Sequence, residues 1–353
     1  MAKGKLLLGL DIGSSSAKIC QLKDGRNGYE LESVDREVFP VEAIVDGSII
    51  DRSGVVKSLR TLLNRNKIRQ KQCAIAISGF SVIVKRLSMP NQTDEELAAN
   101  IRWEVEQHIP YNFDEVVFDT VVLGRNSNQN TMDILLVASK RDVVNEYISV
   151  AKEAGLDVRV VDVASFALQN MVETVYGTTT TAQDVCTGIV NIGASNTSMT
   201  MMVSGITTFT REMTIGGNQI TEEIQKKLGI SRDEAEDFKT GNVSSGNSLI
   251  PREVEDIIIQ VSETIANEIK RSLMFFYETS GREHVDQLIL CGGTIKNRST
   301  LRVIQSTLGE NIIVASPFSN MKFNEKLYTS DDLEKIALES AVSLGLALRR
   351  SVE

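Results

Sequence analysis

Two short glycine-containing turns in different halves of the chain carry the side chains most able to bind a phosphate group. The first reads Asp11-Ile-Gly-Ser-Ser-Ser-Ala-Lys18, and the second reads Asn191-Ile-Gly-Ala-Ser195. Successive backbone N–H groups in such a turn form a concavity that suits phosphate oxygens, and hydroxyl or ammonium groups add further donors. The candidate phosphate contacts are therefore Gly13, Ser14, Ser15, Ser16, Lys18, Asn191, Gly193, Ala194 and Ser195.

The two turns are related by a constant offset of 180 residues, so that Asp11 corresponds to Asn191 and Gly13 to Gly193. A strand–turn–strand unit that recurs in this way indicates a duplicated fold in which two similar loops face each other. The spacings of the P-loop and of the dinucleotide-binding fingerprint are absent. Taken singly, each turn also fits a plain β-hairpin, but the matched pair favours a phosphate site.

Two further glycine pairs strengthen this interpretation. Gly216-Gly217 opens a predicted helix, and Gly292-Gly293-Thr294 follows an apolar strand. Glycine permits close approaches that a Cβ atom would block. We therefore expect both pairs to line the same site.

Strands and helices alternate along the 353 residues in a pattern typical of an α/β protein, with room for two domains. The net charge of −9 argues against a nucleic-acid partner. The apolar run before Asp11 is too short for a signal peptide or a membrane span, which predicts no direct membrane insertion. Four widely spaced cysteines and two histidines give no support for a zinc site or a Ser-His-Asp triad.

One segment, residues 88–158, interrupts the pattern and is predicted to be an inserted α+β subdomain. Thr93-Asp-Glu-Glu96 matches the capping box that begins a helix. This helix carries the only tryptophan, Trp103, which fits either an interface anchor or a half-buried core position. We expect a partner peptide to bind this subdomain or the strand Val82 to Leu87, at a strand edge or in the groove beside it.

The glycine motifs together resemble those of the actin, Hsp70 and sugar kinase superfamily. The turn at Asp11 is similar to its first phosphate motif, the turn at Asn191 to its second, and Leu290-Cys-Gly-Gly293-Thr294 to its adenosine motif. The resemblance covers essentially the whole chain and implies ATP bound between two actin-like lobes. It also implies that Asp11 holds Mg²⁺ through water and that Gly216-Gly217 faces the ribose.

Three other residues enter the candidate site through this resemblance. Glu222 and Lys226 follow the ribose-facing turn, although an ion pair on a solvated helix face accounts for them equally well. Asp162 is a candidate for positioning an attacking water. Its alternative is an ordinary N-cap of the helix that joins the two lobes.

Within the superfamily, the chain most resembles the PilM family of type IV pilus assembly proteins, which is close to FtsA. The segments that carry this resemblance are Thr93-Asp-Glu-Glu-Leu, Ile101-Arg-Trp-Glu-Val-Glu-Gln-His-Ile-Pro-Tyr111, Asp157 to Phe166 and Gly345-Leu-Ala-Leu-Arg349. The family's partner is the cytoplasmic N-terminal segment of PilN, which implies a cytoplasmic protein held at the inner membrane through that partner. Contacts with other pilus motor and platform proteins, and a homo-oligomer, stay open.

The resemblance also implies a division of the chain into three parts. The first lobe is expected to comprise residues 1–87, 159–210 and 331–353, and the second lobe residues 211–330. The insertion at 88–158 corresponds to the FtsA-like subdomain.

One departure from the superfamily pattern bears on catalysis. The second phosphate motif usually begins with Asp, and this chain has Asn191. A neutral amide helps less to hold Mg²⁺ and orient water, so we expect nucleotide binding with slow or absent hydrolysis. The alternatives are an FtsA-like filament-forming ATPase and a sugar-kinase-type phosphotransferase, for which we find no acceptor-facing carboxylate.

Overall fold

The computed structural model describes residues 4–26, 28–126, 128–177, 180, 182–241, 251–309 and 311–351. The strands are β1 (Leu8–Ile12), β2 (Ser16–Gly25), β3 (Gly28–Val38), β4 (Ile44–Val45), β5 (Ser48–Ile49), β6 (Gln72–Ile77), β7 (Val82–Pro90), β8 (Val116–Asn126), β9 (Thr131–Lys140), β10 (Asp157–Val163), β11 (Cys186–Ile192), β12 (Thr197–Val203), β13 (Ile206–Met213), β14 (Gln287–Cys291), β15 (Ile312–Val314) and β16 (Lys322–Phe323). The helices are α1 (Arg52–Arg65), α2 (Asp94–His108), α3 (Arg141–Glu153), α4 (Ala164–Tyr176), α5 (Gly217–Leu228), α6 (Arg232–Thr240), α7 (Arg252–Ser280), α8 (Arg298–Leu308), α9 (Ser330–Ala337) and α10 (Ala341–Ala347).

Two large sheets correspond to the two halves of the repeat. The first has the strand order β10-β6-β1-β2-β3-β16, and the second has the order β13-β12-β11-β14-β15. In each sheet an antiparallel hairpin, β1–β2 or β11–β12, pairs in parallel with a later strand, β6 or β14. The same local topology therefore occurs twice, which confirms the duplicated α/β fold predicted from the repeat.

A shared apolar core joins the two sheets through α4 and α10. All seven residues of α10 are buried, as expected for a helix without a polar face. Leu168 and Met171 of α4 lie in the same cluster as Cys20 of the first sheet and Ile289 of the second. These two helices therefore connect the lobes.

The outer face of each sheet is covered by its own helices. In the first lobe, α1 and α3 pack on β1 and β6, and in the second lobe α5 and α7 pack on β11 and β12. The apolar stripe of α7 is buried against its sheet, because a helix with one apolar face packs that face on the core. Within the described residues, no helix is both long and apolar enough to cross a membrane.

A third, smaller sheet has the order β7-β9-β8 and carries α2 on one face. The capping box is present, since the Thr93 hydroxyl accepts from Glu96 N–H while the Glu96 carboxylate accepts from Thr93 N–H. The Trp103 side chain is 58% exposed, which excludes the half-buried core position for it.

The sheets divide the chain differently from the predicted ranges. The small sheet begins at Val82, before residue 88, and α3 packs with α1 on the first sheet although it lies within 88–158. Residues 186–210 were expected in the first lobe but form β11, β12 and part of β13 in the second sheet, where β13 hydrogen-bonds along its length to β12. The start of the small sheet and the position of α3 depend on contacts between distant segments, whereas the boundary at 210 cut through a local hairpin of adjacent strands.

The crossing of α4 and α10 yields a prediction about stability. A Cβ atom at Gly345 would lie 1.7 Å from the carbonyl oxygen of Ala167, so Gly345→Ala has to push the helices apart. We expect this variant to lower the free energy of unfolding by about 3 kcal/mol, measured by urea denaturation with circular dichroism. Gly124→Ala in β8 is the control, because its Cβ would enter open space. Equal unfolding midpoints for the two variants would contradict the prediction.

Candidate functional site

The first predicted turn is a tight connection between β1 and β2. The Gly13 N–H group donates to the carbonyl oxygen of Ser16 at 3.1 Å, and Asp11 is paired with Lys18 across the hairpin. A Cβ atom at Gly13 would lie 3.0 Å from the Lys18 ammonium nitrogen. Glycine therefore allows Lys18 to lie close against the turn.

The second predicted turn closes in the same way. The Gly193 N–H group donates to the carbonyl oxygen of Asn196 at 2.9 Å, and Asn191 is paired with Ser198 across β11 and β12. Residues 13–16 and 193–196 are therefore equivalent turns at equivalent places in the two sheets.

The two turns differ in charge at two paired positions and not at Asn191 alone. In the first lobe, the Asp11 carboxylate lies 3.5 Å from the Lys18 ammonium, and these side chains are 16% and 12% exposed. At the same two places the second lobe has Asn191 and Ser198, which are both neutral. The second turn has therefore lost a complete ion pair, and the Asn191 amide oxygen instead accepts from the Cys291 thiol at 3.7 Å.

Burial raises the pKa of Asp11 above its ordinary value, and the charge and hydrogen bond of Lys18 partly offset this rise. A cation at the turn would stabilise the charged carboxylate further. Within the described residues, no group of three or more His, Cys, Asp or Glu side chains could hold a metal ion. A lone carboxylate suits Mg²⁺ that keeps its waters and binds mainly to phosphates, so Asp11 fits the expected water-mediated contact.

The second turn is held by the two other glycine motifs, which the structure brings together at the carbonyl oxygen of Gly193. The Gly217 N–H group donates to this oxygen at 3.0 Å, and the Thr294 hydroxyl donates to it at 2.8 Å. The next carbonyl, that of Ala194, accepts from Asn218 N–H at 2.7 Å. The beginning of α5 and the turn after β14 therefore both position this hairpin.

Glycine is required at these contacts by close backbone approach. A Cβ atom at Gly216 would lie 2.6 Å from the carbonyl oxygen of Ala194. At Gly292, which has φ of +102°, a Cβ atom would lie 2.3 Å from the carbonyl oxygen of Ile192. A Cβ atom at Gly293, by contrast, would contact only the Glu339 side chain, at 3.7 Å or more. The expected proximity of the motifs is thus found, while their contacts with a nucleotide stay predictions.

Asp162 lies in β10 and not at the beginning of the helix. The N-cap position of α4 is Val163, without a side-chain cap, so the N-cap interpretation of Asp162 is wrong. Its carboxylate accepts from Arg349 Nε at 2.6 Å and from Val163 N–H at 2.8 Å. Both carboxylate oxygens of Asp162 thus have protein partners. Its role in positioning an attacking water stays a prediction.

Glu222 and Lys226 both lie on the exposed side of α5. Lys226 forms an ion pair with Glu223 at 3.7 Å and is itself 77% exposed. Lys226 was expected to pair with Glu222, four residues before it, but pairs with Glu223, three residues before it. The solvated helix face is therefore the interpretation that this geometry favours.

Sequence reasoning missed a buried lysine beside the glycine motifs. Lys239 of α6 is 15% exposed and donates to the Gly217 carbonyl at 3.2 Å, to the Thr221 hydroxyl at 2.8 Å and to the Glu236 carboxylate at 2.6 Å. Burial lowers the pKa of Lys239, and Glu236 partly restores it. The Glu-x-x-Lys spacing is visible in the sequence, but nothing there shows that α6 packs at the beginning of α5.

Over most of its length the chain is similar to proteins of type IV pilus assembly and of cell division. A family model described as type IV pilus assembly protein PilM matches residues 9–351. The chain is similar to a solved PilM–PilN type IV pilus biogenesis complex, with a TM-score of 0.84, 25% identity, and coverage of 98% of this chain and 99% of that one. The cell division protein FtsA of Bacillus subtilis (strain 168) is 20% identical over an alignment 361 residues long, gaps included, that covers 90% of this chain and 80% of FtsA.

Two more distant solved structures share the fold alone. The ethanolamine utilization protein EutJ from Carboxydothermus hydrogenoformans matches with a TM-score of 0.57 and 15% identity, over 97% of this chain and 89% of its own. MreB5 of Spiroplasma citri, solved bound to ADP, matches with a TM-score of 0.51 and 14% identity, over 96% and 94%.

The hydrogen bond from Thr294 to Gly193 yields a prediction. Thr294→Val removes this donor while keeping the shape of the side chain, and we expect the free energy of unfolding to fall by about 1 kcal/mol. Thr264→Val is the control, because that exposed hydroxyl donates only to a carbonyl of its own helix. Urea denaturation measures both variants, and a loss at Thr294 no larger than at Thr264 would contradict the prediction.

Proposed function

The chain belongs to the type IV pilus assembly protein PilM family and has an actin-like ATPase fold, and on that premise we propose that it is an ATP-binding scaffold of the pilus assembly machinery. ATP would lie between the two lobes. The observation that carries the proposal is the pair of equivalent turns, at 13–16 and 193–196, each closed by the same hydrogen bond. Such a pair can hold the phosphates from both sides.

The nucleotide would contact both lobes through backbone N–H groups and hydroxyls. Residues 13–16 and Lys18 would bind phosphate oxygens from the first lobe, and residues 193–195 from the second. The turn at 292–294 and the Gly216-Gly217 pair would face the adenosine. Lys239 and Glu236 of α6 contact Gly217 and Thr221 at the beginning of α5, so they are better placed beside these motifs than Glu222 and Lys226.

Bound Mg²⁺ neutralises phosphate charge and can polarise the terminal phosphate towards attack by water. In this chain, Asp11 would hold the hydrated ion from the first lobe. Asn191 and Ser198 offer no second carboxylate at the equivalent place, so the second lobe would bind phosphate without helping to orient a water. We therefore propose that the chain binds ATP and hydrolyses it slowly or not at all, so that it would act as a scaffold.

Hydrolysis gives the first test. The purified chain is expected to bind ATP in the presence of Mg²⁺, measured by calorimetry, with slow or no phosphate release. Asn191→Asp restores a carboxylate and is expected to raise turnover about tenfold or more. Asn267→Asp, on the exposed side of α7, controls for the added charge. Rapid Mg²⁺-dependent hydrolysis by the unaltered chain would refute the slow-turnover proposal, and absence of ATP binding would refute the nucleotide site.

The proposed partner is the N-terminal cytoplasmic segment of PilN, because the similar solved structure is a PilM–PilN complex. Through this segment the chain would be held at the inner membrane from the cytoplasmic side, where it could meet other pilus motor and platform proteins. The small sheet offers a partly apolar surface for such a segment. Its open face, on the side away from α2, combines the apolar residues Val84, Val117, Val121, Leu135 and Val137 with the charged residues Arg86, Asp119 and Asp133.

The open face is more exposed to solvent than the face beneath α2. Val117 and Val121 are 37% and 56% exposed, and Leu135 and Val137 are half-buried outside the apolar clusters under α2. Arg86 and Asp133 form an ion pair on this face, at 2.7 Å. Both β7 and β8 pair only with β9 among the described strands. An extended peptide could therefore add to an edge of this sheet and place its side chains on the open face.

Peptide binding gives the second test. Val121→Asp puts a charge on the open face and is expected to weaken the affinity for a synthetic PilN N-terminal peptide about tenfold or more. Trp103→Asp is the control, because Trp103 is similarly exposed but lies on α2, across the sheet. Fluorescence anisotropy with a labelled peptide measures both. Weaker binding by the Trp103 variant alone would place the peptide on the helix side and refute the open face.

A further inference from the structure

Glu339 lies in the short connection between α9 and α10 and binds one cation from each lobe. One of its carboxylate oxygens accepts from Arg36 Nη1 at 2.9 Å, and the other accepts from Lys296 Nζ at 2.9 Å. Arg36 belongs to β3 of the first sheet, whereas Lys296 ends the short turn Gly293–Lys296 that follows β14 of the second sheet. A single carboxylate therefore joins the two lobes. We call Arg36, Glu339 and Lys296 the inter-lobe cluster.

The carboxylate of the inter-lobe cluster is almost completely withdrawn from solvent. The Glu339 side chain is 7% exposed, whereas those of Arg36 and Lys296 are 43% and 34% exposed. Burial of a carboxylate costs free energy unless charged or polar donors compensate it, and here each oxygen has a cationic donor. Loss of the negative charge would leave two cations close to each other without an anion between them, and like charges repel.

The backbone beside Glu339 holds the same turn of the second lobe. The Gly292 N–H group donates to the carbonyl oxygen of Leu338 at 2.8 Å. Thr294, two residues further along this turn, donates to the carbonyl oxygen of Gly193 at 2.8 Å. A continuous chain of contacts therefore leads from the connection before α10 to the second turn of the candidate site.

The inter-lobe cluster also borders the first turn of the candidate site. Arg36 is paired with Lys18 across β2 and β3, and Lys18 is paired with Asp11 across β1 and β2. Directly paired residues point to the same face of a sheet, and two cations in this position repel each other. Each cation has its own carboxylate, since Lys18 lies 3.5 Å from Asp11 and Arg36 binds Glu339. Glu339 therefore stabilises Arg36 beside Lys18 and connects the first sheet with the turn after β14.

We infer that Glu339 is a positioning residue that holds the two lobes in the arrangement of this structure, acting through Arg36 and Lys296. Movement of the second sheet away from the first has to separate Arg36 from Lys296, so it has to break one of the two ion pairs. A nucleotide between the lobes would therefore leave more slowly while both ion pairs are intact. This consequence rests on the proposed function, whereas the link between the lobes does not.

A purely local role for Glu339 predicts a different result. If the carboxylate only fixed the connection between α9 and α10, its loss would lower the free energy of unfolding without changing the distance between the lobes. The distance is therefore measured in the chain without nucleotide, and the rate of nucleotide release is measured separately.

Spin labels report the distance between the lobes by double electron–electron resonance. Lys57→Cys in α1 and Glu263→Cys in α7 place one label on each lobe at exposed positions, and the four native cysteines are buried. Glu339→Gln removes the charge and nearly keeps the shape, so we expect a longer mean distance and a broader distribution than in the unaltered labelled chain. Glu334→Gln, at an exposed position of α9, is the control and should leave the distribution unchanged.

A second variant, Lys296→Met, makes the test independent of how well Glu339→Gln folds. It leaves Glu339 paired with Arg36 alone, so the link to the second lobe is lost and the distance should change in the same direction. Distributions equal to that of the unaltered labelled chain for both Glu339→Gln and Lys296→Met would overturn the inference. Because no nucleotide is present, this outcome leaves the proposed function standing.

Release of a fluorescent ADP analogue from the full chain, measured by stopped flow, tests the consequence for the nucleotide. Glu339→Gln is expected to release the analogue about tenfold faster than the unaltered chain, which is less than for a fully buried ion pair because both cations are partly solvated. Arg36→Met is also expected to accelerate release. Added to Glu339→Gln, it should not accelerate release further, since substitutions that remove the same contact are not additive.

The double substitution separates a shared contact from two unrelated effects. Accelerations by Arg36→Met and Glu339→Gln that multiply in the double variant would contradict an action of Glu339 through Arg36. If the unaltered chain does not bind the analogue at all, the proposed function fails, while a longer distance in the spin-labelled Glu339→Gln variant still supports the link between the lobes.

Discussion

The carbonyl oxygen of Gly193 is the point on which the arrangement of the second lobe depends. It accepts from Gly217 at the beginning of α5 and from Thr294 after β14, so one oxygen joins three separate segments. Each of these contacts requires a backbone without a Cβ atom nearby, since side chains at Gly216 or Gly292 would collide with main-chain atoms. The glycines of the superfamily motifs therefore act here first as packing residues, and any contact with a nucleotide builds on that packing.

Duplication of the fold makes the two lobes comparable place by place, and the comparison shows that they are chemically unequal. The first hairpin has an ion pair of Asp11 and Lys18, whereas the second has Asn191 and Ser198. The same hydrogen bond closes both turns, whereas the ion pair is present only in the first. In the proposed nucleotide site, the charge directed at a metal ion would therefore lie on the side of the first lobe alone, which would favour binding over hydrolysis. In a pilus assembly scaffold, a retained nucleotide would serve as part of the structure.

The sequence was sufficient to predict the equivalent turns, because a tight turn and its flanking strands are local and recur at a constant offset. It was also sufficient to predict the convergence of the glycine motifs, since their order matches a known superfamily. It could not assign β11–β13 to the second sheet or α3 to the first, because those assignments depend on pairing and packing between distant segments. Asp162 illustrates the same limit: its partner, Arg349, lies 187 residues away. Lys239 was missed for this reason too, since its contacts with Gly217 and Thr221 form only when α6 packs against the beginning of α5.

Hydrogen–deuterium exchange of the full chain, with and without Mg²⁺–ATP, distinguishes binding at both turns from binding at one. We propose that two equivalent turns hold one nucleotide from opposite lobes. This arrangement predicts slower exchange on ATP addition in peptides that cover residues 13–16 and residues 193–196, with the open face of the small sheet unchanged. Slower exchange at only one of the two turns, or at neither, would contradict it.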